Sequence, residues 1–199
     1  MGSLVLSLDL IATFAFAVVG ARVAINRGMD YGGIVLIALI ASISGGTLRN
    51  LFLGETPSWL TQPEYLLAVI VAVIFALVAP AKKPIGLFIL SLDTFGLGVA
   101  VVSGTQFALE KEASFYSAIL LGVITGVTGG LLRDVLCQVE PILLHRETIG
   151  TSSVLGAGAY VFLDWLNVAT AISALTAGAF VIIVRAVSIK FDLHLPRAK

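Results

Sequence analysis

Two stretches decide how this chain folds: Gly45-Gly46-Thr47-Leu48-Arg49-Asn50 and Gly129-Gly130-Leu131-Leu132-Arg133-Asp134. They align without a gap at a constant offset of 84 residues. The same offset places Asp9 on Asp93, Gly20 on Gly104, Ala24 on Ala108 and Pro57 on Pro141. Matches among leucine, isoleucine, valine and alanine are cheap in apolar sequence and count for little. An aspartate, a glycine pair followed by leucine and arginine, and a proline recurring at one offset are not cheap. The chain is therefore read as internally duplicated.

The duplicated motif lies in strongly apolar surroundings. Of 199 residues, 58% are hydrophobic and 12% charged, with a mean hydropathy of +1.05. A soluble domain carries about 25% charged residues. Seven apolar segments near 4–24, 31–53, 64–80, 86–108, 116–138, 149–164 and 168–188 have roughly the length that crosses about 30 Å of hydrocarbon. The expected fold is an all-α integral membrane domain over 1–199 with seven transmembrane helices. The first apolar run lacks a basic region before it and a small-residue cleavage site after it, so it reads as a retained helix. The single cysteine, Cys137, excludes an internal disulfide. Zero net charge gives no reason to expect a nucleic-acid partner.

Orientation follows from the basic residues. With seven spans, one side receives Arg22, Arg27, Lys82, Lys83, Arg146, Arg185, Lys190, Arg197 and Lys199, and the other receives only Lys111. This partition predicts a cell-membrane protein with its N-terminus outside and its C-terminus cytoplasmic. The repeats cover about 5–80 and 86–165 and contain three spans each, with the helix near 168–188 outside them. Three spans reverse direction, so the two copies are expected upside down relative to each other, a plan used by many transport proteins.

Four charges fall inside predicted helices: Asp9, Arg49, Asp93 and Arg133. Each costs about 2.5–3.5 kcal/mol at the bilayer centre on insertion scales. At 1.5 Å of rise per residue, Asp9 lies about 8 Å and Arg49 about 6 Å from the same membrane face. Asp93 and Arg133 match them at the opposite face. Two readings follow: ion pairs that pin helices together, or charged gates at the two mouths of a pathway. The aspartates are assigned to structural pairs and the arginines to the pathway. Beside the arginines, Ser44-Gly45-Gly46 and Thr128-Gly129-Gly130 are expected to break the second and fifth helices and free backbone carbonyls as hard oxygen ligands. The competing reading is close packing, the better one for Gly122 and Gly126. Trp59 and Trp165 read as interfacial anchors. Lys82-Lys83 adds a secondary expectation of contact with anionic lipid. His145 and His194 are too isolated for a metal site, and no nucleophile–base set or phosphate loop is present. Neither an enzyme nor a cofactor is expected.

The doubled Asp…Gly-Gly-x-Leu-Arg-[Asn/Asp]…Pro pattern resembles the bacterial relatives of the trimeric intracellular cation channels, whose duplicated domain is also described as a glycine transporter. The resemblance spans about 5–165. It implies a homotrimer in membrane lipid with one pore per subunit and conduction of monovalent cations, chiefly K⁺. It carries pore roles onto Gly45, Gly46, Arg49, Gly129, Gly130, Arg133 and Asp134. Ser44 and Thr128 stand where that family commonly has a third glycine, and Asn50 stands where its first repeat has Asp. The alternatives are a secondary transporter of a small amino acid such as glycine, and a membrane scaffold.

Overall fold

A computed structural model describes residues 3–79, 85–139 and 148–191. Lys82, Lys83, Pro141, His145, Arg146, His194, Arg197 and Lys199 lie outside the described residues. The described residues form eight helices and no strand: α1 Ser3–Asn26, α2 Tyr31–Phe52, α3 Ser58–Thr61, α4 Glu64–Val78, α5 Ile85–Glu110, α6 Phe115–Leu136, α7 Thr148–Trp165 and α8 Thr170–Lys190. Each of the seven expected segments overlaps one helix, and the one-turn α3 is additional. Five helices (α1, α2, most of α5, α6 and α8) are long and apolar enough to cross a membrane, while α4 is apolar but shorter.

The polarity of the molecule is inside out. Arg49, Arg133 and Arg185 are 1%, 2% and 1% exposed, whereas Leu67, Ile70 and Leu175 are 60%, 56% and 75% exposed. Water would penalise that surface at about 25 cal/mol per Å² of apolar area, and lipid does not. The chain is a multi-pass membrane protein.

The offset of 84 residues reappears in the backbone. The starts of α2, α4 and the ends of α1, α2 recur at the starts of α6, α7 and the ends of α5, α6. Caps recur too: the Asp30 side chain accepts from Gly33 N at the start of α2, and Ser114 accepts from Ser117 N at the start of α6. The left-handed turns after α1 and α2 sit at Gly28 and Gly54, and their counterparts after α5 and α6 sit at Glu112 and Gln138. Sequence identity is lost at those turns while the conformation is kept.

Helices α1, α2, α5 and α6 form the centre, with α4 against α1, α7 against α6 and α8 against α5 and α7. The decisive crossing is between α2 and α6. A Cβ placed on Gly45 would lie 2.1 Å from the Thr125 carbonyl oxygen, and one on Gly129 would lie 2.0 Å from that of Ala41. As the residue number rises on α2 it falls on α6, so the two helices run antiparallel. Arg49 and Arg133 each lie six residues beyond this crossing, in opposite directions, and are about 18 Å apart along the axis.

This crossing corrects the expected helix breaks. Both helices run uninterrupted through Gly45-Gly46 and Gly129-Gly130. The glycines allow two backbones to touch, a packing use of small residues, rather than opening either helix. The Thr128 hydroxyl donates back to the Ile124 carbonyl within the same helix. The buried Ser44 hydroxyl lacks a hydrogen-bond partner.

The basic residues also need revision. Arg22 is buried and donates to the Ala79 carbonyl at the end of α4, and Arg27 donates to the Gln138 carbonyl beyond α6 at 2.8 Å. These are helix C-terminal contacts of the kind basic side chains favour. Arg22 and Arg185 are thus buried within the bundle and leave the tally of loop charges. Arg27 and Lys190, among the described residues, stay in it.

Candidate functional site

Two charged clusters, one at each end of the α2–α6 crossing, carry the chemistry. At the first, Arg49 on α2 clasps Asp9 on α1 with both terminal nitrogens, Nη1 to Oδ1 at 3.1 Å and Nη2 to Oδ2 at 2.9 Å. Asp9 also accepts from Tyr65 Oη at 3.2 Å and from the Ser103 hydroxyl. Arg49 donates its Nε to Asn50 Oδ1 at 3.0 Å, and its guanidinium lies 4.3 Å from the Phe107 ring centre. Asn50 Nδ2 then holds the Thr56 carbonyl at 2.9 Å and the Ser58 hydroxyl at 3.2 Å, fixing the approach to α3. Aspartate could do the first of these jobs but not the second.

The second cluster follows the same plan with a different supporting cast. Arg133 Nη1 donates to Asp93 Oδ1 at 2.7 Å, and Arg133 Nε donates to Asp134 Oδ1 at 2.8 Å. Tyr65 has Ile149 as its counterpart at the same offset, so the hydroxyl is gone. Arg185 of α8 takes its place, donating Nη2 to Asp93 Oδ2 at 2.8 Å. Its Nη1 is buried without a partner. Each cluster is formally neutral: one aspartate with one arginine, and two aspartates with two arginines.

Each cluster opens into a small cavity, of about 30 Å³ at Asp9 and about 20 Å³ at Asp93. The two linings correspond in part through the repeat. Asp9, Thr13, Ser42 and Ile43 in one correspond by offset to Asp93, Leu97, Gly126 and Val127 in the other. Gly46, Thr47, Arg49 and Tyr65 likewise correspond to Gly130, Leu131, Arg133 and Ile149. Four hydroxyl residues of the Asp9 cavity thus become Leu, Gly, Leu and Ile in the Asp93 cavity. Phe16 lines both.

Gly45, Gly46 and Arg49 of the expected pore set line the first cavity, and Gly130, Arg133 and Asp134 line the second. Ser44, Thr128 and Gly129 line neither. Sequence reasoning missed Arg185, whose signal was its place on the buried stripe Ser173, Ala177, Val181, Arg185 at four-residue spacing. Trp59, expected as an interfacial anchor, also donates Nε1 to Thr47 Oγ1 at 3.0 Å and lines the Asp9 cavity. Trp165 is 64% exposed beside Phe162.

The duplicated architecture has known relatives. A family model described as "Glycine transporter" matches residues 6–81 and again residues 90–165. A solved structure titled as the trimeric intracellular cation channel orthologue from Rhodobacter sphaeroides is 36% identical, with a TM-score of 0.90 over 96% of this chain and 100% of that one. The chain belongs to the trimeric intracellular cation channel family. A second member, titled a prokaryotic TRIC channel, is 27% identical with a TM-score of 0.86, covering 98% of this chain and 100% of that one. A UPF0126 membrane protein of Vibrio cholerae is 33% identical over 98% of this chain and 82% of its own length. The inner membrane protein YadS of Escherichia coli is 30% identical over 97% and 95%. The solved relatives in this family are titled as channels, and none of these relatives is named as an enzyme.

Proposed function

We propose that this chain conducts monovalent cations, chiefly K⁺, through a pathway within each subunit that joins the Asp9 and Asp93 cavities alongside α2 and α6. The observation that carries the reading is the pair of repeat-related cavities, each holding a buried aspartate–arginine pair, at opposite ends of an antiparallel helix pair inside one chain. Three-helix repeats of opposite orientation account for the reciprocal contacts Gly45–Thr125 and Gly129–Ala41. Arginines in a cation pathway are tolerable because each is held against a carboxylate, which leaves no net positive barrier. Thr13, Ser42, Thr47 and Tyr65 offer hydroxyl oxygens of the hard kind that replace a cation's hydration shell. Arg49, Arg133 and Asp134 are the charged groups of the two mouths, and Asp9 and Asp93 hold the arginines in place. Assembly as a homotrimer is inferred from the likeness to the Rhodobacter relative, which is titled a trimeric channel.

The test is gradient-driven flux of K⁺ against radiolabelled glycine in liposomes holding purified protein. K⁺ flux without saturable glycine uptake is expected, from a sample whose mass in detergent, less lipid, corresponds to three copies. Coupled glycine uptake would establish a transporter instead, which inverted repeats serve equally well.

The orientation proposed places the N-terminus outside, on the strength of Arg27 and Lys190 at one end of the bundle against Lys111 at the other. Lys111 pairs with Glu55 at 2.6 Å, which ties two loops of that face together. A cysteine at Glu112 should react with an impermeant thiol reagent applied to intact cells, and one at Met29 should not. The reverse pattern would invert the assignment.

A further inference from the structure

We propose that the Phe16 ring is the plug that separates the two cavities, and that the duplicated architecture has room for one such ring. Phe16 is buried, and it is the residue that the linings of the Asp9 and Asp93 cavities have in common. An ion passing between the cavities must therefore pass this ring, resting on the pathway reading above. A bare cation leaves water for an apolar contact at that point, and apolar constrictions of this kind block ions by losing their water.

The offset explains why one ring suffices. Position 16 corresponds to Ala100, and position 12 to Gly96. Counterparts meet where the two copies face each other: Ala12, Phe16 and Ala100 form one buried cluster, and a Cβ on Gly96 would lie 3.4 Å from the Phe16 ring. Two phenylalanines at 16 and 100 would compete for this space, and the chain carries the ring once with small residues at the other three places. Whether the ring comes from one copy or from the other should then matter little to the barrier.

The experiment uses Val127→Cys, which places a thiol in the Asp93 cavity, with Cys137→Ala removing the native one. Ag⁺, a thiol-reactive monovalent cation, is supplied from the Asp9 side only. Modification should be slow with Phe16 in place and rise by about tenfold or more in Phe16→Ala, a change equal to about 1.4 kcal/mol of barrier. It should return to the slow rate in Phe16→Ala/Ala100→Phe, where the plug is supplied by the other copy. Phe16→Leu, a milder truncation, should give an intermediate rise and serves if the alanine variant does not fold. An unchanged rate in the folded single variants, or a double variant as fast as Phe16→Ala, would overturn the plug. K⁺ flux of the same proteins is read separately. Rates that follow the ring while no variant passes K⁺ would support the plug and reject the channel.

Discussion

Arg49→Ala should yield almost no folded protein, whereas Arg133→Ala combined with Asp134→Asn should assemble. Asp9 has one cationic partner, and its remaining donors, Tyr65 and Ser103, are neutral hydroxyls. Removing Arg49 strands a buried carboxylate, which costs about 3–5 kcal/mol out of a net stability of about 5–15 kcal/mol. Asp9→Asn in the same chain should restore folding by removing the stranded charge. At the other end Asp93 keeps Arg185 at 2.8 Å, and asparagine at 134 reproduces what Asn50 already provides in the first copy. Arg185 also has an unused nitrogen with which to reorganise. Yield and thermal stability of the purified variants, compared in one detergent, decide the matter. Equal losses at both ends would show that α8 adds nothing to the second cluster.

The second large effect concerns the helix crossing. Gly45→Ala and Gly129→Ala should each destabilise the protein strongly. The added methyl would sit 2.1 or 2.0 Å from a backbone carbonyl oxygen, and no side chain can rotate to make room. Overpacking a tight contact costs about 1–3 kcal/mol and sometimes more, against about 1 kcal/mol returned by alanine's better helix propensity. Gly46→Ala and Gly130→Ala provide the contrast. Their nearest neighbours are arginine side-chain nitrogens at 3.8 Å, so these variants should melt at or slightly above the parent temperature. If all four variants melted together, the α2–α6 contact would not be the reason for the glycine pair.

The contrast within each Gly-Gly pair also shows where sequence reading stops. The apolar helices were legible because lipid imposes an apolar run of roughly fixed length on a crossing helix, whereas the side-chain caps at Asp30 and Ser114 came from the structure. The pairing of Asp9 with Arg49, and of Asp93 with Arg133, was legible from depth alone, since two opposite charges at one depth on neighbouring helices have strong reason to meet. Glycine was ambiguous in kind. It weakens a helix and it permits contact between helices, and only the position of Thr125 and Ala41 across the crossing chooses between these uses. Arg185 was hidden by proximity to the end of α8, where a basic residue also reads as a charge outside the membrane. The contact of Trp59 with Thr47 was hidden by the short α3, which sequence periodicity did not reveal.

The neutrality of the two clusters bears on how the protein responds to a membrane potential. A potential of 100 mV does about 2.3 kcal/mol of work on each elementary charge that traverses it. An arginine that moves together with its aspartate carries no net charge, so the field has almost no purchase on either cluster while its pairs stay closed. Steep voltage sensitivity would therefore require a guanidinium to leave its carboxylate and travel alone. The second cluster is built for that more readily than the first, because Asp93 is shared by Arg133 and Arg185 and keeps a partner when either one lets go.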